Sequence, residues 1–590
     1  IRRAVARRTR PSRKFDPISV DSMPRRTDFD PRIPRSTLKH PPLTPIRRLD
    51  FPTIQQAYTD DLLRQDFNAA KDWCYTGVGV LEWDAKMRDY LKNNDWRYPI
   101  VAREGTDERA MDMHVHEVVT LRDMLLSFED PAAVVRLLAA PSTKIVSLTI
   151  TEYGYRVPLN EGDHKLLELA NQGVLEDPSL SMPESLDASC VKATVFGLIL
   201  SALAMRHRLG RRPFTVMSCD NLPHNGDVAK KRVINAARDA PEIDESLCQW
   251  LEDEVKYPST MVDRITPATS PQDISDLKEK AGIEDQWPVM CEPYKHWVIE
   301  DDFVDGARPA WERVGALLVP DVRPHELMKV RLLNVTHSAL CYVGSLASLT
   351  NVHEAVTHKM IKPYLRRLMN EEIAASLRAD PTMPEELLAV LDEYTELVLS
   401  RFENVAVKDT LDRVAMDGSE KFRVQGREVI MERLAREGSV RGFALYVASW
   451  AHFLRRSVRD GEKIRDASAG LIAAPWQMDK ENTGVGTQGL EAFLDIEEVF
   501  GVLARHEGWR EAVKREFADI DATGLEATLL GAIFGVGHNS NVDLSSMGLE
   551  RSRERASGTF ALDETCVVDT HETEEWRADD EAAVFVSLEA

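Results

Sequence analysis

Two short segments of the sequence bring chemically useful side chains close together. The first, residues 218–226, reads SCDNLPHNG and begins at the end of the apolar run 213–219 (PFTVMSC). The second, residues 326–338, reads ELMKVRLLNVTHS and contains a lysine, an asparagine and a histidine. A lysine in an apolar setting gives up its proton more easily and can serve as a general base. Neutral amides beside it can stabilise an alkoxide, so the segments fit proton abstraction from a hydroxyl group.

Each segment also has a plainer interpretation. Asn, Pro and Gly are common in turns, so residues 218–226 are compatible with an ordinary connection. Glu326 and Lys329 stand one helical turn apart, as in a solvated ion pair on a helix surface. The leucines on both sides of Lys329 favour burial of the second segment instead.

The elements that must position these side chains follow from the hydrophobic pattern. In the first half of the chain, helical patterns alternate with strand-like runs at residues 73–80, 98–103, 144–151 and 213–219. Such alternation predicts a parallel, doubly wound sheet, which binds ligands at the carboxyl ends of its strands. From Pro324 onward the patterns are nearly all helical. We therefore predict an α/β Rossmann-like doubly wound sheet followed by a mostly α-helical C-terminal domain.

Composition divides the 590 residues into four parts. Residues 1–50, rich in Arg and Pro, are interpreted as a disordered or mispredicted basic arm, because the prolines argue against a helical targeting peptide. Residues 51–316 are assigned to the Rossmann-like domain and residues 317–535 to the helical domain. Residues 536–590 are expected to be a disordered acidic tail.

Charge and cysteine usage exclude several classes of function. The formal net charge of −23 disfavours nucleic acid or an anionic membrane as a partner. The seven cysteines form no CxxC pair, which argues against structural zinc and a secreted disulfide framework. No uncharged apolar run approaches the roughly 20 residues of a membrane span. We expect a cytoplasmic protein that binds a small molecule and needs no metal.

Four segments, taken in order along the chain, resemble the mannitol dehydrogenase family of polyol-specific long-chain dehydrogenases. They are residues 218–226, 256–269 (KYPSTMVDRITPAT), 292–303 (EPYKHWVIEDDF) and 329–338 (KVRLLNVTHS). The resemblance covers roughly residues 54–535. It implies a monomeric, NAD-dependent oxidoreductase that interconverts a polyol and a ketose, with D-mannitol and D-fructose favoured. A D-arabinitol dehydrogenase or a fructuronate-type reductase of the same family is the alternative.

The resemblance assigns catalytic roles residue by residue. It makes Lys329 the general base that takes the alcohol proton as hydride leaves the carbon. Asn225 and Asn334 become the amides that stabilise the alkoxide and polarise the carbonyl. His337 positions a substrate hydroxyl, and Glu326 relays the proton to solvent.

The resemblance also implies substrate contacts at three charged residues. Asp263 is expected to bind substrate and to orient the lysine. Arg413 and Lys421 match the family's substrate-binding cation positions less closely. An ordinary salt bridge or solvated charge is nearly as well supported for these two.

Acidic residues after the run 73–80 favour NAD over NADP. A carboxylate at that place suits the ribose hydroxyls of the adenosine and repels a 2′-phosphate. The two threonines of the run 144–151 are expected near the nicotinamide, although β-branched residues are also common in any strand. The predicted cofactor-binding residues are Glu82, Asp84, Thr149, Thr151, Ser218 and Asn221.

One family feature is missing from the sequence. The family opens its sheet with a strand and a glycine-rich turn, GxGxFxRAH, whose backbone N–H groups cradle the cofactor pyrophosphate. Residues 38–52 read LKHPPLTPIRRLDFP instead, and prolines have no N–H to donate. A catalytically impaired product that binds NAD weakly or not at all is therefore a further alternative.

Overall fold

The computed structural model describes residues 44–49, 53–105, 112–176, 193–481 and 487–534. The predicted acidic tail lies outside these ranges, as does the predicted basic arm apart from residues 44–49. In the described part of the chain the strands are β1 Thr44–Leu49, β2 Trp73–Gly79, β3 Tyr98–Glu104, β4 Asp112–Val118, β5 Leu121–Leu126, β6 Ile145–Leu148, β7 Thr215–Ser218, β8 Thr260–Asp263, β9 Val289–Cys291, β10 His296–Glu300 and β11 Leu317–Val319.

The main sheet is parallel and has the order β5-β2-β1-β6-β7. The chain runs outward from β1 in one direction through β2 and β5, then returns to the other side for β6 and β7. This reversal is the topological switch point, where a doubly wound sheet opens a crevice at the carboxyl ends of its strands. The predicted Rossmann-like architecture is confirmed.

Strand β1 occupies the centre of this sheet. Its six residues pair with β2 from Thr44↔Trp73 to Leu49↔Val78, and with β6 on the other side. The strand lies inside the stretch 1–50 that the sequence assigns to an arm. Central parallel strands are usually continuous apolar runs, and TPIRRL has two arginines and a proline, so the hydrophobic pattern gave no sign of it.

Two three-stranded sheets, β4-β3-β9 and β11-β10-β8, extend the first domain. Strand β8 ends at Asp263, which lies opposite His296 of the antiparallel strand β10. Strand β11 pairs in parallel with β10. The sheets of this domain therefore continue to Val319, three residues beyond the predicted boundary at 316.

Ten helices accompany the strands of the first domain. They are α1 Thr53–Gln65, α2 Phe67–Ala70, α3 Asp84–Asn93, α4 Pro131–Ala139, α5 Thr151–Gly154, α6 Glu161–Gln172, α7 Val195–Arg208, α8 Asn225–Asp239, α9 Glu245–Asp253 and α10 Pro271–Ala281, within the described ranges. Helix α7 is buried on every face from Val195 to Arg206, which explains its continuous apolar sequence. None of the helices in the described ranges is both long and apolar enough to span a membrane.

The second domain is helical, as predicted. Over the described residues its helices are α11 Arg323–Met328, α12 Val335–Leu346, α13 Val352–Thr357, α14 Ile361–Arg367, α15 Ala374–Arg378, α16 Glu385–Leu388, α17 Leu391–Phe402, α18 Leu411–Val414, α19 Gly418–Lys421, α20 Arg427–Ala435, α21 Arg441–Asp460, α22 Ala469–Glu481, α23 Thr487–Leu494, α24 Glu497–Phe500, α25 Glu507–Thr523 and α26 Leu525–Phe534. Three π-helical segments join neighbouring helices: Lys329–Asn334, Leu368–Ile373 and Phe422–Gly426.

The hydrophobic cores follow the domain division. One core is built wholly from the second domain, between Met328 and Ala532. Two further cores lie in the first domain, one around β6, β7 and α7 and the other around β2, Trp297 and Trp311. The start of the second domain meets the carboxyl edge of the main sheet, where Lys329 contacts Asn221 after β7, and this is where the candidate site lies.

Candidate active site

Two adjoining cavities open where the first domain meets the π-helical segment after α11. They have volumes of about 380 and 600 Å³ and share Asn221 in their walls. The smaller one is lined by Cys219, Asp220, Asn221, Leu222, Thr260, Met261, Val262, Glu326, Lys329 and Val330. The larger one is lined by Asn221, Asp263, Ile265, Thr266, Leu333, Asn334, His337, Ser338, Arg413, Val414, Lys421 and Gln425. We call the two together the cleft.

Lys329 stands at the junction of the two domains. Its side chain is buried, with only 2% of its surface exposed, and its Nζ donates a hydrogen bond of 2.8 Å to Oδ1 of Asn221. Lys329 belongs to the helix that opens the second domain, whereas Asn221 follows strand β7 of the first. The amine therefore lies at the carboxyl edge of the main sheet, where a doubly wound fold binds its ligands.

A π-helical turn brings Asn334 to the same cleft as Lys329. The two residues are five apart, and on an α-helix such positions point about 140° away from each other. In the segment Lys329–Asn334 the backbone follows the wider π geometry, in which hydrogen bonds join residues five apart. Side chains at that spacing then lie close to one line, so both residues face the cleft.

His337 extends this wall by one turn of α12. Its ring stacks on Phe402, with centroids 4.6 Å apart and planes 21° apart. Its Nε2 lies 3.7 Å from Oδ2 of Asp409. Burial lowers the pKa of His337 to about 3, although Asp409 opposes the shift. The imidazole is therefore neutral and suited to hydrogen bonding with a hydroxyl group.

Asp263 lines the cleft from the end of strand β8. Its carboxylate receives hydrogen bonds of 2.9 and 2.7 Å from Nη1 and Nη2 of Arg401. Tyr394, on the same helix α17, donates a further bond of 3.3 Å. Burial acts to raise the pKa of Asp263, but the charge and hydrogen bonds of Arg401 outweigh it and hold the pKa below its ordinary value. Asp263 is thus a fixed carboxylate.

The two predicted substrate-binding cations of the second domain both line the larger cavity. Arg413 is held by Asp409 through bonds of 2.5 Å from its Nε and its Nη2. Lys421 donates to the backbone oxygen of Val414 at 3.2 Å. The charge of Arg413 is therefore largely balanced by a carboxylate before any substrate enters.

Glu326 lines the smaller cavity one turn before Lys329. Its Oε2 accepts a hydrogen bond of 3.2 Å from the backbone N–H of His224, a residue in left-handed conformation with φ of 52°. Burial raises the pKa of Glu326, although the hydrogen bond from His224 and the charge of Lys329 oppose the shift. A carboxyl group with a raised pKa beside a lysine can exchange protons with it.

Asn225, predicted to be a catalytic amide, is not among the residues that line the cleft. It is buried, its Nδ2 donates to the backbone oxygens of Asp220 and Thr260 at 2.9 and 2.8 Å, and its Oδ1 accepts from the N–H of Thr260 at 2.9 Å. These bonds tie the loop after β7 to strand β8. Asn221, predicted to bind cofactor, is instead the amide that contacts the lysine.

The predicted cofactor residues at the ends of β6 and β7 enter one network. The predicted strand 144–151 already ends at Leu148, and Thr151 adopts a left-handed φ of 56°. The N–H of Thr151 donates to Oδ1 of Asp220 at 2.8 Å. Tyr155 bonds both Asp220, at 2.6 Å, and the hydroxyl of Ser218, at 2.7 Å. Thr149 lies in the same connection, between β6 and α5.

The two acidic residues after β2 differ in their surroundings. Glu82 is exposed at the carboxyl edge of the sheet. Asp84 is buried and its Oδ2 accepts from the N–H groups of Val80 and Leu81 at 2.9 and 3.0 Å. Burial raises the pKa of Asp84, although these two bonds oppose the shift. Asp84 shapes the turn, which leaves Glu82 as the accessible carboxylate.

Sequence reasoning assigned no role to several residues that contact the predicted site residues or support them through one another: Asp220, Tyr155, Tyr394, Glu292, Arg401, Phe402 and Asp409. Tyr155, Tyr394, Glu292, Arg401 and Phe402 lie far along the chain from the side chains that they contact, so local spacing gives no signal for these five. Among the described residues, no group of three His, Cys, Asp or Glu side chains is arranged to hold a metal ion.

Comparisons with known proteins cover both domains. The family described as "Mannitol dehydrogenase Rossmann domain" matches residues 51–313, and the "Mannitol dehydrogenase C-terminal domain" matches residues 321–521. A mannitol 2-dehydrogenase of Pyrenophora tritici-repentis is 35% identical over 450 residues, which is 75% of this chain and 73% of the relative. One of Aspergillus fumigatus is 36% identical over 479 residues, 80% of this chain and 89% of the relative.

Two solved structures are similar over the same region. The ternary complex of Pseudomonas fluorescens mannitol 2-dehydrogenase with NAD and D-mannitol is 33% identical, with a TM-score of 0.67. The match covers 83% of this chain and 94% of that one. A substrate-free D-sorbitol dehydrogenase is 30% identical, covers 83% of this chain and 95% of its own, and has the same TM-score of 0.67.

Proposed function

Because the chain belongs to the mannitol dehydrogenase family and is an NAD-dependent polyol dehydrogenase, we propose that it interconverts D-mannitol and D-fructose with Lys329 as the general base. The observation that carries the proposal is the hydrogen bond of 2.8 Å between Lys329 and Asn221, inside a cleft walled by both domains. The substrates named for the relatives in the comparisons support the choice of polyol.

The chemistry of the donor groups fits NAD at the switch point of the main sheet. Glu82 is the exposed carboxylate at the end of β2, suited to the hydroxyls of the adenosine ribose and unfavourable to a 2′-phosphate. Thr149 and Thr151, beyond β6, are proposed to hold the nicotinamide end. NAD supplies the acceptor for the hydride that leaves the carbinol carbon.

The residues of the cleft are proposed to manage the proton and the negative charge. Nζ of Lys329 removes the hydroxyl proton in the oxidation direction and returns it in reduction. The amide groups of Asn221 and Asn334 donate to the substrate oxygen, which carries the developing charge of an alkoxide. Asn221 takes the role that the resemblance implied for Asn225, whose amide is engaged with the backbone.

The same reasoning gives roles to three further side chains. Glu326 accepts the proton from Lys329 and passes it toward solvent near the exposed His224. The neutral ring of His337 binds a substrate hydroxyl. Asp263 binds another hydroxyl and stabilises the charged form of the lysine.

The charge balance of the cleft supports a neutral polyol over a uronate. Recognition of a substrate carboxylate needs a cation with charge to spare, preferably an arginine presenting both nitrogens. Arg413 already directs two nitrogens to Asp409 at 2.5 Å. A second carboxylate there would share the charge of one guanidinium with Asp409 and would lie beside a like charge, whereas a neutral hydroxyl carries no such penalty.

A substrate panel with the purified chain tests the proposal. We expect NADH oxidation with D-fructose and NAD reduction with D-mannitol, both at higher kcat/KM than with D-arabinitol, D-sorbitol or fructuronate. Preference for fructuronate would contradict the argument from charge balance. NADH titration by fluorescence, run in parallel, separates a wrong substrate from a cofactor site impaired by the absent glycine-rich turn. The expectations of a monomer and of a cytoplasmic location stay predictions, to be tested by light scattering and by imaging.

A further inference from the structure

We propose that Arg401 is a positioning residue for the reaction, which acts by clamping Asp263 and Glu292 together at the wall of the cleft. The inference rests on the proposed role of Asp263 in binding substrate beside Lys329. Arg401 belongs to helix α17 of the second domain, whereas both carboxylates belong to the first.

The clamp is made of four hydrogen bonds to one guanidinium group. Nη1 and Nη2 of Arg401 reach the two oxygens of Asp263 at 2.9 and 2.7 Å. Its Nε and Nη2 reach the two oxygens of Glu292 at 3.0 and 2.6 Å. The guanidinium carbon also lies 4.1 Å from the ring centroid of Tyr294. A planar group that binds two carboxylates along two edges fixes their orientation as well as their charge.

The clamp is buried, so its geometry is strongly enforced. The side chains of Arg401, Asp263 and Glu292 are 4%, 2% and 2% exposed. Breaking a buried ion pair leaves an uncompensated charge and is far more costly than breaking one at the surface. The clamp therefore holds a single arrangement rather than a set of exchanging ones.

Both carboxylates connect the clamp to the substrate side. Asp263 lines the cleft itself. Glu292 accepts the backbone N–H of Ile265 at 2.6 Å, and Ile265 also lines the cleft. Arg401 thus fixes the path of the chain at the end of β8 through two independent attachments.

The adjacent residue on α17 supports a second residue that lines the cleft. Phe402 stacks on His337, as described above. One helix end therefore sets the position of Asp263 through Arg401 and that of His337 through Phe402. Misplacement of reacting groups by about 1 Å is enough to cost roughly 100-fold in rate, so loss of the clamp should reduce turnover without removing any group that touches the substrate.

A double-mutant cycle tests whether Arg401 acts through Asp263. We would measure kcat and KM for D-mannitol, and the Kd for NADH, in the full chain and in Arg401→Met, Asp263→Asn and the double variant. Arg401→Met should lower kcat by roughly 100-fold with NADH binding unchanged. The double variant should be no slower than the slower single variant, because both changes remove the same interaction. Arg401→Lys, which keeps the charge, should recover part of the lost kcat and replaces Arg401→Met in the cycle if the latter does not fold.

Arg441→Met is the matched control. Arg441 pairs with the buried Glu516 at 2.8 Å and with the backbone of Gly531, in a part of the second domain that does not line the cleft. Arg441→Met should lower stability but leave kcat unchanged. Combined with Asp263→Asn, it should give the same kcat as Asp263→Asn alone. Additive losses from Arg401→Met and Asp263→Asn, or parent-like kcat in Arg401→Met, would overturn the inference. Parent-like turnover in Asp263→Asn alone would instead refute the role proposed for Asp263.

Discussion

The amine of Lys329 and the amide oxygen of Asn221 lie 2.8 Å apart and join the π-helical segment after α11 to the loop after β7, the last strand of the main sheet. In the proposed mechanism, Asn221 orients the base Lys329 and also offers an amide N–H group to the substrate oxygen. The proposal therefore assigns proton removal and stabilisation of the alkoxide to one pair of side chains that are in contact.

Replacing Lys329 by Met should lower kcat for D-mannitol oxidation by about 100- to 10,000-fold, the range attributed to general acid–base catalysis. Steady-state kinetics on the purified variant checks this, with the thermal unfolding midpoint as a test of folding. Lys362→Met is the control, since Lys362 pairs with Glu403 on the surface of the helical domain. Near-normal turnover of the Lys329 variant would remove the lysine from the mechanism.

The two asparagines of the loop after β7 should respond differently to alanine. Asn221→Ala should cost about 100- to 1,000-fold in kcat, as for loss of one donor to an oxyanion, with little change in stability. Asn225→Ala should lower the free energy of unfolding by about 1–3 kcal/mol, because it strands buried backbone groups. Urea unfolding and kinetics on both variants separate the roles. The reverse pattern would restore Asn225 as the catalytic amide.

Glu372 should make stability depend on pH. It is buried in the second π-helical segment and accepts from the N–H groups of Gly442 and Phe443 at 2.7 and 3.1 Å. Burial raises its pKa from 4.5 to about 7. Between these values the folded chain keeps a proton that the unfolded chain has lost. The free energy of unfolding therefore falls as pH rises through this window, by at most about 1.4 kcal/mol per pH unit from this group.

Glu372→Gln keeps an oxygen acceptor for both N–H groups and cannot titrate. Relative to the parent, its urea midpoint should rise between pH 5 and pH 7. Glu371→Gln, at the exposed neighbouring position, should show no such change. A constant difference between parent and Glu372→Gln across this range would mean that Glu372 stays ionised in the folded protein.

Glu82→Lys should relax the preference for NAD. The exposed carboxylate after β2 is replaced by a cation that attracts a 2′-phosphate. The ratio of kcat/KM for NAD to that for NADP should fall by at least about tenfold, which corresponds to 1.4 kcal/mol. Asp84→Asn should leave the ratio unchanged, since Asp84 is engaged with Val80 and Leu81. If Asp84→Asn changes the ratio and Glu82→Lys does not, Asp84 is the residue that binds the adenosine ribose.

Much of the site could be predicted from sequence because motifs carry the identities of the residues that face the cleft. Lys329, Asn334, His337, Asp263 and the cations of the second domain all line it. A motif does not say which of two asparagines in one loop turns inward. That choice depends on the left-handed backbone of His224 and on bonds to strand β8, which only the folded chain contains.

The prediction of the fold succeeded where the hydrophobic period was clear. It failed where contacts with distant parts of the chain, and not local sequence, determine the element. The apolar runs gave β2, β3 and β7 to within two residues. Strand β1 has no such run, because its place is set by pairing with β2 and β6. The clamp at Arg401 could not be predicted from the sequence either, since its partners lie 138 and 109 residues away along the chain.

The π-helical turn at Lys329–Asn334 means that the length of this helix carries information as well as its composition. Deleting Val330 would keep the lysine, the asparagine and the histidine, yet would allow the backbone to relax into a regular α-helix. In a regular α-helix the lysine and the asparagine would then stand four residues apart, at an angle of about 40°, and would still share one face. For this enzyme, a one-residue gap in the segment therefore leaves both side chains on one face, whereas α geometry at full length would turn them about 140° apart.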